Sequence, residues 1–278
     1  MRPILFSILG LDVQTYGVSK AAAAIVAAYV LARAFRRHGL ARDDAYGLVT
    51  WATVWGFVGA KIYFILERLP DVTPHDLGGS GFTWYGGLLG GTAAALIMIR
   101  RRHLPFGVVV DATAVPLSLA YAIGRAGCWF SGDGTYGKPT TLPWGMKVTA
   151  GMLPSDVAVH PTPLYEAGAA LIIAALLWAL SRRAIPPFTV FAAYLVLSGV
   201  ARFGVELLRT NPPAWWGLTQ PQLWSVVSVA AGIALATHAL RRTRPREHAH
   251  ARDSSSNVHE TPVDPAVARA HTGGVPTP

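Results

Sequence analysis

The chain carries PLYEAGAALIIAALLWALSRRAIPPFTVFAAYLVLSGVARFGVELLR at Pro163–Arg209. Two apolar runs, Pro163–Leu180 and Pro187–Leu208, flank a short turn holding Arg182, Arg183 and Pro186. Each run approaches the roughly 20 residues that cross the hydrocarbon core of a bilayer. Arginine in the turn between two such runs marks a cytoplasmic loop. The same stretch also carries charges that a membrane segment should avoid. Glu166 opens the first run, and Arg202, Glu206 and Arg209 close the second. An ionisable side chain inside a span costs roughly 2.5–3.5 kcal/mol on insertion scales, so these four need a reason.

The pattern extends along the chain. Further apolar runs lie at Gly17–Phe35, Tyr46–Leu66, Trp84–Ile99, Pro105–Ile123 and Pro221–Leu240, which predicts an all-α integral membrane protein of about seven transmembrane helices. The third run is short and rich in glycine, as suits a tilted helix or one enclosed by its neighbours. Charged residues make up 14% of the 278 residues, well below the quarter usual in soluble domains. The net charge of +9 comes from Lys and Arg at the ends of apolar runs. These residues build no basic face with interleaved aromatics, which argues against nucleic acid as a partner. The single cysteine, Cys128, excludes an internal disulfide framework. The start, MRPILFSILGLDVQTYG, lacks the features of a cleaved signal peptide, so the first span is expected to target the chain.

Every second loop is arginine-rich: Arg33, Arg36, Arg37 and Arg42; Arg100, Arg101 and Arg102; Arg182 and Arg183; Arg241, Arg242, Arg244 and Arg246. The positive-inside rule then predicts the N-terminus outside and the C-terminus in the cytoplasm. Residues 1–240 read as one membrane domain, with a long external loop at about Gly124–Thr162. Residues 241–278 read as a disordered cytoplasmic tail, poor in large apolar residues and rich in Pro, Ser, His and Thr. Its His248, His250 and His259 read as a solvated stretch rather than a metal site.

Lys20, Lys61 and Glu67 lie at span ends, where they can snorkel to the interface. Asp111, Arg125, Glu166, Arg202, Glu206 and Arg209 are less easily placed. Asp111 lies early in span four and Arg125 at its end. Arg202 and Glu206 are four apart, on one helix face, where they can pair. All but Asp111 fall near the external membrane face. Arginines gathered there suit an anionic headgroup, because a guanidinium fork matches phosphate oxygens two at a time. An interhelical ion-pair network is the structural alternative. TWYGGLLGG at the head of span three offers close backbone approach, to a ligand or to another helix, at Gly86, Gly87, Gly90 and Gly91.

The motifs together resemble the prolipoprotein diacylglyceryl transferases of bacterial inner membranes. The ordered matches run from Tyr16 to about Trp224. They are TYG at Thr15–Gly17, YGGLLGG at Tyr85–Gly91, Asp111 ahead of GRAG at Gly124–Gly127, HPTPLYEA at His160–Ala167, RFGVELLR at Arg202–Arg209 and LTQPQLWS at Leu218–Ser225. The resemblance implies a multi-pass enzyme of the bacterial cytoplasmic (inner) membrane. It would move a diacylglyceryl group from phosphatidylglycerol to the thiol of a lipobox cysteine on secreted preproteins, releasing glycerol phosphate. It implies no metal and no cofactor beyond the lipid donor. By resemblance, Arg125, Arg202, Glu206, Tyr85 and Tyr16 are catalytic. Substrate binding is expected of Arg125, Arg202, Arg209, Gly86, Gly87, Asp111, Asp133, Gly137, His160 and Glu166. The chain departs from the family at Tyr85, where histidine is typical. It departs again at Cys128, Ser131 and Asp133, which stand where the family signature has two asparagines and a glutamate. The following loop is one residue longer, and Gly137 is paired across it.

Such chemistry needs a held phosphate, a thiolate and lateral access for lipid and preprotein. A free thiol, with a pKa of about 8.5, is mostly protonated at neutral pH, so a base is expected. Glu206, Asp133, His160 and Tyr85 are candidates. Cys128, beside Trp129, reads as a small inert core residue. Two rivals stay open: a paralogue moving a lipid or phospho-group to another acceptor, and a non-enzymatic lipid-binding membrane protein.

Overall fold

Apolar runs of this length, with their backbone polar groups satisfied within each run, can only settle as helices in lipid. The computed structural model describes residues 2–8, 11–78, 81–151 and 153–256. Among them are seven α-helices: α1 (Thr15–Arg37), α2 (Arg42–Glu67), α3 (Trp84–Arg101), α4 (Phe106–Ser131), α5 (Thr162–Leu180), α6 (Thr189–Glu206) and α7 (Gln220–Ser256). Three two-stranded antiparallel hairpins join them: β1 (Ile4–Ile8) with β2 (Leu11–Gln14), β3 (Met146–Val148) with β4 (Ser155–Val159), and β5 (Pro213–Trp215) with β6 (Leu218–Thr219).

Six of the helices are long and apolar enough to cross a membrane. The expected third span is present as α3 but is not among the six. Four glycines and a terminal pair of arginines dilute its apolar content. Large apolar side chains face outward around the bundle, among them Ile25 (69% exposed), Leu89 (64%) and Ile172 (64%). In water such a surface would demand a partner; in a bilayer, lipid is that partner. The protein is a predominantly helical, multi-pass membrane protein.

Two cores hold the bundle. Leu31, Ala32, Phe35, Ala45, Leu48, Ile99, Val109 and Ala112 join α1, α2, α3 and α4. Ala114, Ile173, Leu177 and Val190 join α4, α5 and α6. A third, small core of Trp129, Tyr136, Val148 and Val159 fastens the β3–β4 hairpin to the end of α4.

The α2–α3 pair crosses on glycine. A Cβ on Gly86 would overlap the carbonyl oxygen of Gly59, and one on Gly59 would overlap that of Gly86. Gly87 is looser: a Cβ there would lie 3.6 Å from the Ala60 side chain, an ordinary contact.

Two boundaries differ from the sequence expectation. Helix α4 continues past Ile123 to Ser131, so Arg125 lies inside it and not at its end. Nothing in GRAGCWFS stops the helix until Gly132, which takes the left-handed conformation (φ 64°) of a C-terminal cap. Helix α7 continues past Leu240 to Ser256. The remainder of the expected tail, 257–278, with His259, lies outside the described residues.

Candidate active site

Four elements bring their polar residues to one end of the bundle. Helix α4 contributes Tyr121 and Arg125, one turn apart on one face. Helix α5 contributes Glu166 from its first turns, just after Pro163 near the helix start. Helix α6 contributes Arg202 and Glu206, with Arg209 just beyond its end. The chain on to α7 contributes Asn211 and Thr219.

Glu166, buried, is the hub. Its Oε2 lies 2.5 Å from Arg125 Nε. Its Oε1 faces Arg209 Nη1 at 3.5 Å and Arg202 Nη1 at 3.8 Å. Tyr121 donates its hydroxyl to Glu166 Oε2 and accepts from Arg125 Nε at 3.1 Å. Glu206 is the second hub, also buried. Arg202 Nη1 reaches its Oε2 at 2.6 Å and Arg209 Nε the same oxygen at 3.6 Å. Asn211 Nδ2 and Thr219 Oγ1 donate to its Oε1 at 2.5 and 2.9 Å.

The electrostatics follow from the count of charges. Three guanidinium groups face two carboxylates, which leaves one positive charge over in a partly dry site. Burial, with Arg202 and Arg125 close by, pulls Arg209 below the ordinary arginine range, while Glu166 pulls the other way. An arginine starts so high that it stays charged near neutral pH. An ion pair this buried recovers its desolvation cost only when every partner is in place.

The external loop is docked onto this cluster. Gly137 bridges Arg209, its N–H donates to the His160 carbonyl at 2.9 Å, and Lys138 N–H donates to the Leu208 carbonyl at 2.7 Å. A Cβ on Gly137 would press on Leu208, His160 and Thr162, so the close approach requires glycine. Asp133 accepts from Thr135 N–H at 3.0 Å and from its hydroxyl at 2.6 Å, an internal turn cap. His160 Nδ1 meets the Tyr165 hydroxyl at 3.3 Å, and Trp144 Nε1 donates to that same hydroxyl at 2.8 Å. Cys128 is buried.

Other expected site residues stand apart from the ionic cluster. Tyr85, at the head of α3, accepts from Trp224 Nε1 at 3.2 Å and lies in a ring cluster with Tyr63, Trp84 and Trp224. Tyr16 lies under Lys20, whose Nζ is 4.7 Å from the ring centroid. Among the described residues neither has an ion pair or hydrogen bond to the cluster. Gly86 is occupied by the crossing with α2.

Asp111 lies fourteen residues before Arg125 on one helix, about 21 Å away along the axis. There it accepts the Phe191 N–H at 2.8 Å. Helix α6 starts at Thr189, and Phe188 at the N-cap position supplies no side-chain cap. Asp111 therefore caps α6 from a neighbouring helix, satisfying one of its orphan amides.

Tyr121, Asn211 and Thr219 are the residues that sequence reasoning missed, Thr219 lying within LTQPQLWS without being singled out. For Tyr121 the one signal was its place four residues before Arg125. Asn211 gave none, since it follows its partner through an irregular segment. A cleft of about 740 Å³ lies between the β5–β6 turn and the start of α7, lined by Asn211, Pro213, Trp215, Leu223 and Trp224 among others. Asn211 belongs both to this cleft and to the Glu206 hub.

The sequence is similar to those of known proteins. Residues 3–238 match the family described as prolipoprotein diacylglyceryl transferase. A protein of Clostridium tetani named phosphatidylglycerol–prolipoprotein diacylglyceryl transferase is 30% identical over 218 residues, 76% of this chain and 87% of its own length. One of the same name from Finegoldia magna is 28% identical, over 84% of this chain and 94% of its own. A Streptomyces coelicolor protein, the transferase of that name numbered 2, is 32% identical, over 85% of this chain and 80% of its own. The chain belongs to the prolipoprotein diacylglyceryl transferase family.

Proposed function

We propose that this chain transfers the diacylglyceryl group of phosphatidylglycerol to the cysteine thiol of lipobox-bearing preproteins, at the outer face of the bacterial inner membrane. The observation that carries this reading is the surplus of one guanidinium over the carboxylates in a buried cluster at the ends of membrane helices. A phosphate diester carries one negative charge and would balance it.

The atoms balance as follows. The thiolate sulfur attacks the glyceryl carbon bonded to the phosphate oxygen. A carbon–sulfur bond forms, that carbon–oxygen bond breaks, and glycerol phosphate departs. The phosphate goes from one negative charge to two, so cations fixed beside it hold the transition state more tightly than the bound lipid. Arg125 and Arg202, supported by Arg209, supply those cations. Glu206 takes donors on both oxygens, which suits a positioning carboxylate better than the base that receives the thiol proton. Asp133, His160 and Tyr85 remain the candidates for that base. The cleft lined by Asn211, which also donates to Glu206, supports this reading as the route of entry for lipid and preprotein.

This reading places the N-terminus and the β3–β4 hairpin outside, the arginine-rich loops inside, and α3 as a seventh, tilted span. No metal and no cofactor beyond the lipid takes part, and no nucleic acid is a partner.

The experiment is complementation of a bacterium depleted of its own transferase. A reporter preprotein should gain the mass of one diacylglyceryl group, and Arg125→Ala and Arg202→Ala should each abolish the gain. No gain from a well-inserted wild-type chain would turn the reading toward a paralogue with another acceptor. Tyr85→His would then test whether that position is the cause.

A further inference from the structure

Tyr121 is placed as a working part of the site, although neither the reading of the motifs nor the family resemblance singled it out. Its phenol oxygen lies between the two members of a buried ion pair, donating to Glu166 Oε2 and accepting from Arg125 Nε. The Arg125 guanidinium carbon also lies 5.2 Å from the centroid of the Tyr121 ring, within cation–π range. One residue thus touches Arg125 through both its oxygen and its ring face.

The direction of these contacts matters. The ion pair to Glu166 and the hydrogen bond to Tyr121 both engage Nε of Arg125. A planar guanidinium held at Nε and along one face has its terminal fork aimed. A long arginine otherwise carries about 2 kcal/mol of rotamer freedom that a ligand must remove. Aiming the fork in advance removes that cost from the transition state. Glu166 is held on the same side: its near contacts, Tyr121 and Arg125, share Oε2, while Arg209 and Arg202 stand farther off at Oε1. A phenol that already gives its proton to a carboxylate is not set to take another, so the geometry does not make Tyr121 the base.

We propose that Tyr121 is a positioning residue of the transfer reaction: it locks the Arg125–Glu166 pair so that Arg125 presents its terminal nitrogens to the phosphate of the lipid. This rests on the phosphodiester reading above and adds to it a residue that acts through Arg125.

The test uses the full chain in phosphatidylglycerol vesicles, with a lipobox peptide as acceptor, and compares wild type, Tyr121→Phe, Glu166→Gln and the double variant. Phenylalanine keeps the ring and removes the hydroxyl. The expected result is a roughly tenfold fall in kcat, worth about 1.4 kcal/mol of barrier. The KM for the peptide should stay unchanged, and any fall in melting temperature should leave the chain fully folded at the assay temperature. The double variant should be no slower than Glu166→Gln alone, since both changes break one unit. A second arm titrates glycerol phosphate onto the detergent-solubilised chain, where Tyr121→Phe should bind it several-fold more weakly than wild type.

Wild-type turnover and binding in Tyr121→Phe would overturn the proposal and leave the transferase reading standing. So would a loss that adds in full to that of Glu166→Gln, or one that tracks unfolding at the assay temperature. A wild-type chain that neither transfers nor binds would overturn both.

Discussion

Arg125, Arg202, Arg209, Glu166 and Glu206 are each costly in a membrane and tolerable only together. Their charge was legible from the chain alone, and so was their place near span ends, except that Arg125 lies inside α4. Their pairing was not, apart from Arg202 with Glu206, because only a contact within one helix can be read from spacing. Glu166 meets arginines from α4 and α6, which packing alone brings near. Two predictions belong at this scale. Arg125→Lys should cut lipidation of a reporter preprotein at least tenfold, since a lysine is a point charge without the planar fork; densitometry of lipidated against unlipidated reporter reads it. Glu166→Gln leaves three guanidinium groups facing one carboxylate. Breaking a buried pair in this way costs about 3–5 kcal/mol, reduced here by the partial exposure of the arginines, and a clearly lowered melting temperature in detergent is expected.

Between helices, backbone contact decides what a residue is for. The glycines of TWYGGLLGG suit a ligand or a neighbouring helix equally well in sequence. In the folded chain Gly86 lies against Gly59, whereas Gly87 has room. Gly86→Ala should therefore destabilise the protein by about 1–3 kcal/mol, as overpacking does. Gly87→Ala should shift the melting temperature little. Equal tolerance of both changes would remove the crossing as the reason for Gly86. Asp111 teaches the same lesson. An acidic residue early in a span invites a functional reading, yet here its partner is the first turn of α6. Asp111→Ala should cost about 1 kcal/mol, the usual value of a cap, while Asp111→Asn, which keeps an acceptor oxygen, should cost less. Thermal melts of the pair separate a capping role from a substrate contact, which either change would disturb without altering stability.

Across the whole molecule, arginine asymmetry predicts which side is which. With Cys128 buried, Lys147→Cys should react with an impermeant maleimide on intact spheroplasts, and Arg101→Cys only after the membrane is opened. The opposite result would invert the topology and move the ionic cluster to the cytoplasmic face. The membrane class, the helical architecture and most helix limits to within a few residues were in the sequence, because hydropathy and loop charge are sums over neighbours along the chain. The exceptions were α3, whose glycines weaken the apolar signal, α4, which runs on until Gly132 caps it, and α7, which runs on to Ser256. The site divides the same way. Residue types and their place near one end of the spans were set by the sequence. Only the tertiary structure decided that Tyr121, Asn211 and Thr219 join the cluster, that Asp111 caps α6 and that Gly86 packs on Gly59. Those facts depend on contacts between helices far apart in the chain, and no periodicity within one helix records which face its neighbour will present.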